Sequence, residues 1–246
     1  MNEKSDRADK VLVALGHFES RASAQAAIAV GHVKIDGKAI QKPSEKIRTD
    51  AAIEARPAHP WVSRGGVKLA HALDVFDVPV ADRACLDIGA STGGFTHVLL
   101  SRGAATVVAV DVGRGQLNER LQRDQRVRSL EATDARDLTI EQVGDANLNV
   151  CDASFISLCK LLARPLSLVP TGAGLITLFK PQFEVGRAHI GKNGIVSDQA
   201  AVESAQAAFM TWLADNGWTA HSVTKSPIKG GDGNVELLMY AVKSGA

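Results

Sequence analysis

The chain has 246 residues, in which 28 Lys and Arg stand against 27 Asp and Glu for a formal net charge of +1. Hydrophobic residues make up 45% and charged residues 22%, so a disordered or fibrous chain is excluded. The length suits one large domain, or one of ordinary size with a small companion.

No apolar run approaches the roughly 20 residues that span a bilayer. The polar opening MNEKSDRADK lacks the apolar stretch of a secretory signal. Cys85, Cys151 and Cys159 form neither a CxxC pair nor an even framework, which suits a reducing cytosol. Near-zero net charge argues against a nucleic-acid partner only if the charge is spread evenly, and it is not. Residues 1–68 carry 12 basic and 8 acidic side chains, a net of +4, whereas residues 69–246 carry 16 and 19, a net of −3.

In chain order, Val11, Leu12, Leu15 and Phe18 recur at helical spacing. Ser20 can cap a second helix through Ala24, Ala27 and Ile28, which Gly31 ends. HVKIDGKAI then sets Asp36-Gly37 between two short alternating runs, a hairpin signal. Pro43, Pro57 and Pro60 punctuate an aperiodic stretch that reads as a boundary region. Beyond residue 80, apolar strands alternate with helical stretches, the pattern of parallel βαβ units. The predicted organisation is a small domain over 1–58, a linker over 59–66 and a large α/β domain over 67–246.

Residues 7–47 resemble the ribosomal-protein-S4-like RNA-binding domain. The resemblance lies in the early basic start, the Ser20-Arg21 pair opening the second helix, and GHVKIDGKAIQKPS. It implies a small α+β module whose helices bind structured RNA, with Arg7, Lys10, Arg21 and Lys34 available to phosphates. Ala8 departs from the family's usual Leu and removes core volume rather than chemistry.

In the large domain, the strand Ala84–Ile88 carries Asp87 and runs into GASTGGF: Gly89, Ala90, Ser91, Thr92, Gly93, Gly94 and Phe95. A glycine-rich turn between strand and helix lets a cofactor approach the backbone near a helix N-terminus. Ser91 stands where the second glycine of a dinucleotide fingerprint would lie, which weakens a pyrophosphate reading. Twenty-two residues after Gly89, the strand Thr106–Val110 ends at Asp111, placed to accept ribose hydroxyls. Together they suit an adenosine cofactor that is not a dinucleotide, with S-adenosylmethionine the natural candidate. Asp134, where a further strand is expected to end, can contact the adenine amine or cap a helix starting near Leu138.

NLNVCDASFISL puts Asp152 directly after an apolar strand, at the edge where ligands collect in open α/β sheets. GLITLFKPQFEVG repeats this with Lys180, and a lysine ending a buried strand calls for a nearby carboxylate. Glu236 opens the last strand; if that strand runs antiparallel, its start reaches the same edge. Lys68 lies on the helix entering the large domain, so two lysines and two acids can converge on one cleft.

These four residues look like the Lys-Asp-Lys-Glu tetrad of FtsJ-like ribose 2′-O-methyltransferases. VSRGGVKL, DIGASTGGFT, VDVGRGQL, CDASFISL, KPQFEVG and GNVELL, joined to the N-terminal module, resemble the TlyA family of ribosomal RNA methyltransferases, often labelled hemolysin A. The resemblance implies a Rossmann-like S-adenosylmethionine-dependent methyltransferase domain, with a mostly parallel sheet covered on both faces by helices. It implies methylation of a ribose 2′-hydroxyl, of cytidine, in ribosomal RNA within ribosomal subunits in the cytoplasm. Lys180 would activate the hydroxyl, Asp152 would orient it, and Lys68 and Glu236 would position the ribose. No metal is called for, and no His/Cys cluster has ligand spacing. A non-catalytic RNA binder and a membrane-lytic protein are the alternatives; the absence of a long basic amphipathic helix counts against the second.

HPWV departs from the family's Arg-containing linker, and Gly231-Asp232 replaces a commoner Gly-Pro. Residues 185–198 are aperiodic and can be a flap over substrate or a plain loop. Trp212 and Trp218 read as packing residues rather than base-stacking platforms.

Overall fold

The computed structural model describes residues 5–244, so the first four residues of the polar opening and the last two of the chain lie outside the described residues. The chain divides into two compact units at Pro60/Trp61.

The first unit runs β1 (Ser5–Arg7), α1 (Ala8–Ala14), α2 (Arg21–Ala29), β2 (Val33–Ile35), β3 (Lys38–Ala39), β4 (Lys46–Arg48) and β5 (Ile53–Ala55). The start of α2 is held by a reciprocal cap: Ser20 Oγ accepts Ser23 N–H, and Ser23 Oγ accepts Ser20 N–H, both at 3.2 Å. Asp36 (φ 48°) and Gly37 (φ 77°) turn the β2–β3 hairpin with both central residues left-handed, the geometry that matches strand twist. β2 also pairs with β5, and β1 with β4.

Leu12, Phe18, Ile28, Val33 and Ile47 build the core of this unit, and Ala8 is fully buried in it. The first helix is shorter than its apolar spacing predicts. Gly16, at φ 77°, turns the chain after Ala14, Leu15 is exposed, and Phe18 reaches the core from the following loop.

The second unit begins with α3 (Gly65–Val75) and β6 (Ala84–Ile88), followed by α4 (Gly94–Ser101), β7 (Thr106–Val110), α5 (Glu119–Gln122) and β8 (Val127–Leu130). It continues with α6 (Ile140–Val143), β9 (Leu148–Cys151), α7 (Leu158–Ser167), β10 (Gly174–Phe179) and α8 (Pro181–Glu184). The chain closes with α9 (Gln199–Asp215), β11 (Trp218–Lys225) and β12 (Leu237–Lys243).

These strands form one seven-stranded sheet in the order β11-β12-β10-β9-β6-β7-β8. All neighbours from β8 to β10 are parallel; β12 runs antiparallel to both β10 and β11. Side chains alternate between two cores, as a sheet covered on both faces requires. Val107 and Ala109 face the layer of Leu69, Val98 and Leu99, while Val110 joins that of Leu162, Leu166 and Phe209. Strand order reverses between β6 and β9, which opens a crevice at their carboxyl ends.

Trp61 and Val62, within the stretch read from sequence as a linker, pack against the first of these cores. Val62 N–H donates to His97 Nδ1 at 3.2 Å, and the Trp61 ring meets His97 edge-on, with ring centroids 5.4 Å apart. Trp218 is buried and Trp212 stacks on Phe209 at 5.9 Å, so both tryptophans are packing residues. Leu12→Ala should destabilise the first unit by about 2–5 kcal/mol. Hydrogen exchange checks this as earlier loss of amide protection in β1–β5.

Candidate active site

Three strand ends and one helix surround the crevice. Asp152 follows β9, Lys180 follows β10, and Glu236 precedes β12, whose register pairs Leu237 with Phe179. Because β12 is reversed, its first residues lie beside the last of β10. Lys68 comes from the first turn of α3.

The four side chains form two ion pairs. Lys68 Nζ lies 2.5 Å from Glu236 Oε2, and both groups are buried. Lys180 Nζ lies 2.6 Å from Asp152 Oδ1 and donates to Ser154 Oγ at 3.0 Å. Each buried ammonium thus has the partner that burial demands. A side chain at Gly65 would come within 3.4 Å of Asp152 Oδ2, so the start of α3 lies against that carboxylate.

The glycine turn sits next to this cluster. Asp152 N–H donates to Ile88 O at 3.1 Å, and a Cβ on Gly89 would come within 3.0 Å of Ala153 Cα. Gly89 (φ 80°) and Gly93 (φ 91°) adopt left-handed backbone that other residues resist, and Ser91 shares it at φ 48°. Ala90 and Phe95 are buried beneath the turn, Gly93 and Gly94 lead into α4, and Ser91 and Thr92 are exposed on it. Asp111 holds the turn from β7: Oδ2 accepts Ser91 N–H at 2.8 Å and Oδ1 accepts Gly113 N–H at 2.7 Å.

Asp87 lies under the turn rather than on its surface. Thr96 Oγ1 donates to its Oδ2 at 2.6 Å, while its Oδ1 is buried without a hydrogen-bond partner. Burial pushes its carboxyl up to about 7, despite the opposing Thr96 bond. Glu184 is also pushed up to about 7 by burial, although its carboxylate accepts Leu158 N–H at 2.9 Å.

Asp134 lies four residues beyond the end of β8, not at it. Its carboxylate caps the short turn Ala135–Asp137 and pairs with Arg136 at 2.6 Å, so it is a cap in this structure, one turn earlier than the helix near Leu138. The acid directly after β8 is Glu131, which the sequence reading missed. It accepts N–H groups from Gly115, Gln116 and Leu117, at 2.7, 2.9 and 3.2 Å, and so fixes the loop after Asp111. Phe155 was missed as well. It is 90% exposed at φ 68°, with its ring 5.2 Å from that of Phe183. An aromatic residue in left-handed backbone is strained, and such strain clusters where function needs it.

Residues 185–198 are tied down by buried Asn234, which accepts Val196 N–H and donates to Gly194 O, both at 2.9 Å. The departing Asp232 accepts Gln182 Nε2 at 2.8 Å. In the first unit, Lys10 and Lys34 each lie 3.6 Å from an exposed acid, Asp6 and Glu54, while Arg7 and Arg21 share Asp9. Burial pushes the Cys85 and Cys151 thiols up to about 12, so neither is a ready nucleophile. Among the described residues no group of three His, Cys, Asp or Glu side chains is arranged to hold a metal, and no helix is long and apolar enough to cross a membrane.

A glycine turn at the strand-order switch, an acid on the neighbouring strand and a Lys-Asp-Lys-Glu cluster define a methyltransferase of the FtsJ-like kind. The FtsJ-like methyltransferase family matches residues 61–243, and the S4 domain matches residues 6–53. The chain belongs to the TlyA family of FtsJ-like methyltransferases. It is 44% identical over 237 residues to the 16S/23S rRNA (cytidine-2'-O)-methyltransferase TlyA of Mycobacterium tuberculosis, covering 95% of this chain and 88% of that one. It is 38% identical to a Brachyspira hyodysenteriae protein named Hemolysin A, covering 96% and 99%. A solved structure from Streptococcus thermophilus, carrying a hemolysin label, aligns with a TM-score of 0.78 at 38% identity over 99% and 90% of the two chains. An S-adenosylmethionine-dependent methyltransferase from Listeria monocytogenes, at 16% identity and a TM-score of 0.56, shares the fold.

S-adenosylmethionine is the methyl donor that goes with this family and fold. The residues present fit it: left-handed Gly89 and Gly93 shape a turn that exposes Ser91 and Thr92 beside the crevice, and Asp111 lies at the next strand end.

A carboxyl raised in the fold keeps its proton at pH values where the unfolded chain has released it. Stability therefore falls as pH rises between about 4 and 7. Asp87→Asn, whose side-chain oxygen can still accept from Thr96, should flatten this fall, leaving the share of Glu184. Denaturant melts across that range check it, and unchanged slopes would contradict it.

Proposed function

We propose that this chain transfers a methyl group from S-adenosylmethionine to the ribose 2′-hydroxyl of cytidine in ribosomal RNA. The observation that carries the reading is the pair of ion pairs, Lys68–Glu236 and Lys180–Asp152, beside the glycine turn. The relatives named for cytidine-2'-O methylation supply the substrate class.

The donor supplies an electrophilic methyl carbon on a sulfonium; the chain must bring a weak nucleophile into line with it. Much of the rate can come from that alignment. Lys180, held between Asp152 and Ser154, would meet the 2′-hydroxyl and, as a neutral amine, take its proton while the oxygen–carbon bond forms and the carbon–sulfur bond breaks, the electron pair leaving on the thioether sulfur. Asp152 orients Lys180 and balances its charge. Lys68, fixed by Glu236, positions the ribose from the helix side. The glycine turn over residues 89–94 and Asp111 would hold the donor, with Asp111 bracing the turn and Glu131 ordering the loop beyond it.

Phe155 offers its exposed ring as a platform for the target base, backed by Phe183. A ribose must leave its helical context to enter such a crevice, and a stacked base lowers the cost of that exit. The first unit holds folded RNA, and ribosomal subunits in the cytoplasm are the setting.

Radiolabelled S-adenosylmethionine incubated with ribosomal subunits and free ribosomal RNA tests the activity; absence of label on every form would overturn it. Lys180→Ala should abolish transfer while leaving the donor's Kd within about twofold, measured by calorimetry. Phe155→Ala should raise the KM for RNA about tenfold, in keeping with stacking of about 1–3 kcal/mol per base, and leave donor affinity unchanged.

A further inference from the structure

We infer that Asp9 is a positioning residue that locks Arg7 and Arg21 into one paired guanidinium surface for the phosphate backbone of folded RNA. The inference rests on the RNA-holding role proposed for the first unit. Asp9 is fully buried in the first turn of α1. The backbone there is anchored: Asp9 N–H donates to Pro43 O at 3.1 Å, and Ala8 N–H to Glu45 O at 2.7 Å.

Its carboxylate collects five donors. Arg7 approaches with Nε at 3.0 Å from Oδ1 and Nη2 at 3.2 Å from Oδ2. Arg21 places Nη2 at 2.8 Å and Nε at 3.2 Å from Oδ2, and Gln25 Nε2 adds a bond of 2.7 Å to the same oxygen. Two cations that would repel each other thus converge on one anion, across the interface of α1 and α2.

The geometry leaves both arginines able to bind. A guanidinium has five N–H donors, and the two that face Asp9 leave three on each. The Arg7 and Arg21 side chains are 39% and 51% exposed. A planar fork recognises phosphate by two parallel bonds, which requires its plane to be set. Fixing both planes beforehand removes much of the ordering cost of binding. Lys10 and Lys34 differ: each has a flexible stem and lies 3.6 Å from an exposed acid, so they supply charge without set geometry.

Charge and positioning predict opposite signs for Asp9→Asn. The substitution adds one positive charge to the RNA-facing unit. Charge alone would make the variant bind RNA more tightly, whereas positioning predicts about tenfold weaker binding. Positioning also predicts a salt dependence shallower by about one phosphate contact.

The measurement is filter binding of the full chain to 23S ribosomal RNA transcribed in vitro, across several salt concentrations, with circular dichroism reporting the fold. Folded Asp9→Asn that binds as tightly as the parent, or more tightly, overturns the proposal. Should that variant not fold, Arg21→Lys decides: it keeps the charge on an exposed side chain but loses the two-bond grip on Asp9. It should bind about tenfold more weakly, and unchanged binding overturns the proposal. Arg7→Gln/Arg21→Gln separates the two levels. If it binds like the parent, the RNA-holding role of these arginines fails and the proposal with it. If it loses affinity while Arg21→Lys does not, the arginines bind RNA but Asp9 does not position them.

Discussion

Everything in the larger unit turns on neutralising two buried ammonium groups at one edge of the sheet. A lysine side chain taken out of water needs a carboxylate at hydrogen-bond distance, or it gives up its charge. Lys180 finds Asp152 on the adjacent parallel strand, and Lys68 finds Glu236 on the strand that runs the other way. Strand order and strand direction are therefore part of the chemistry. A parallel last strand would carry Glu236 to the opposite edge of the sheet and leave Lys68 stranded.

The same economy governs the smaller unit, where the buried ion is an acid and its partners are arginines. In the larger unit the lysines are buried and lie beside a crevice. In the smaller one the carboxylate is buried and the cations look outward. The first arrangement suits holding one small group in a set place, the second a polyanion of folded shape.

Much of this was legible in the sequence for a simple reason: acids and lysines standing directly after apolar runs mark strand ends, and strand ends in parallel sheets share an edge. Asp152 and Lys180 could be placed that way, and Glu236, which precedes its strand, could be placed once that strand was taken as reversed. Which lysine meets which acid could not, because it depends on the register that sets Phe179 opposite Leu237. Nothing in the local sequence singles out Asp9, since its partners on α2 stand twelve and sixteen residues along. Asp134 drew attention from Glu131 because β8 ends at Leu130, four residues before the strand end expected at Asp134. Phe155 carries no sequence signal of its own: neither its left-handed backbone nor its exposure follows from CDASFISL.

The reversed final strand also sets an order of events during synthesis. Lys68 and Glu236 are separated by 168 positions, so the ribosome makes the lysine early and its counter-charge almost last. Until β12 enters the sheet, helix α3 cannot bury Lys68 without leaving an ammonium unpaired. The crevice can assemble only after nearly all of the sheet has been made.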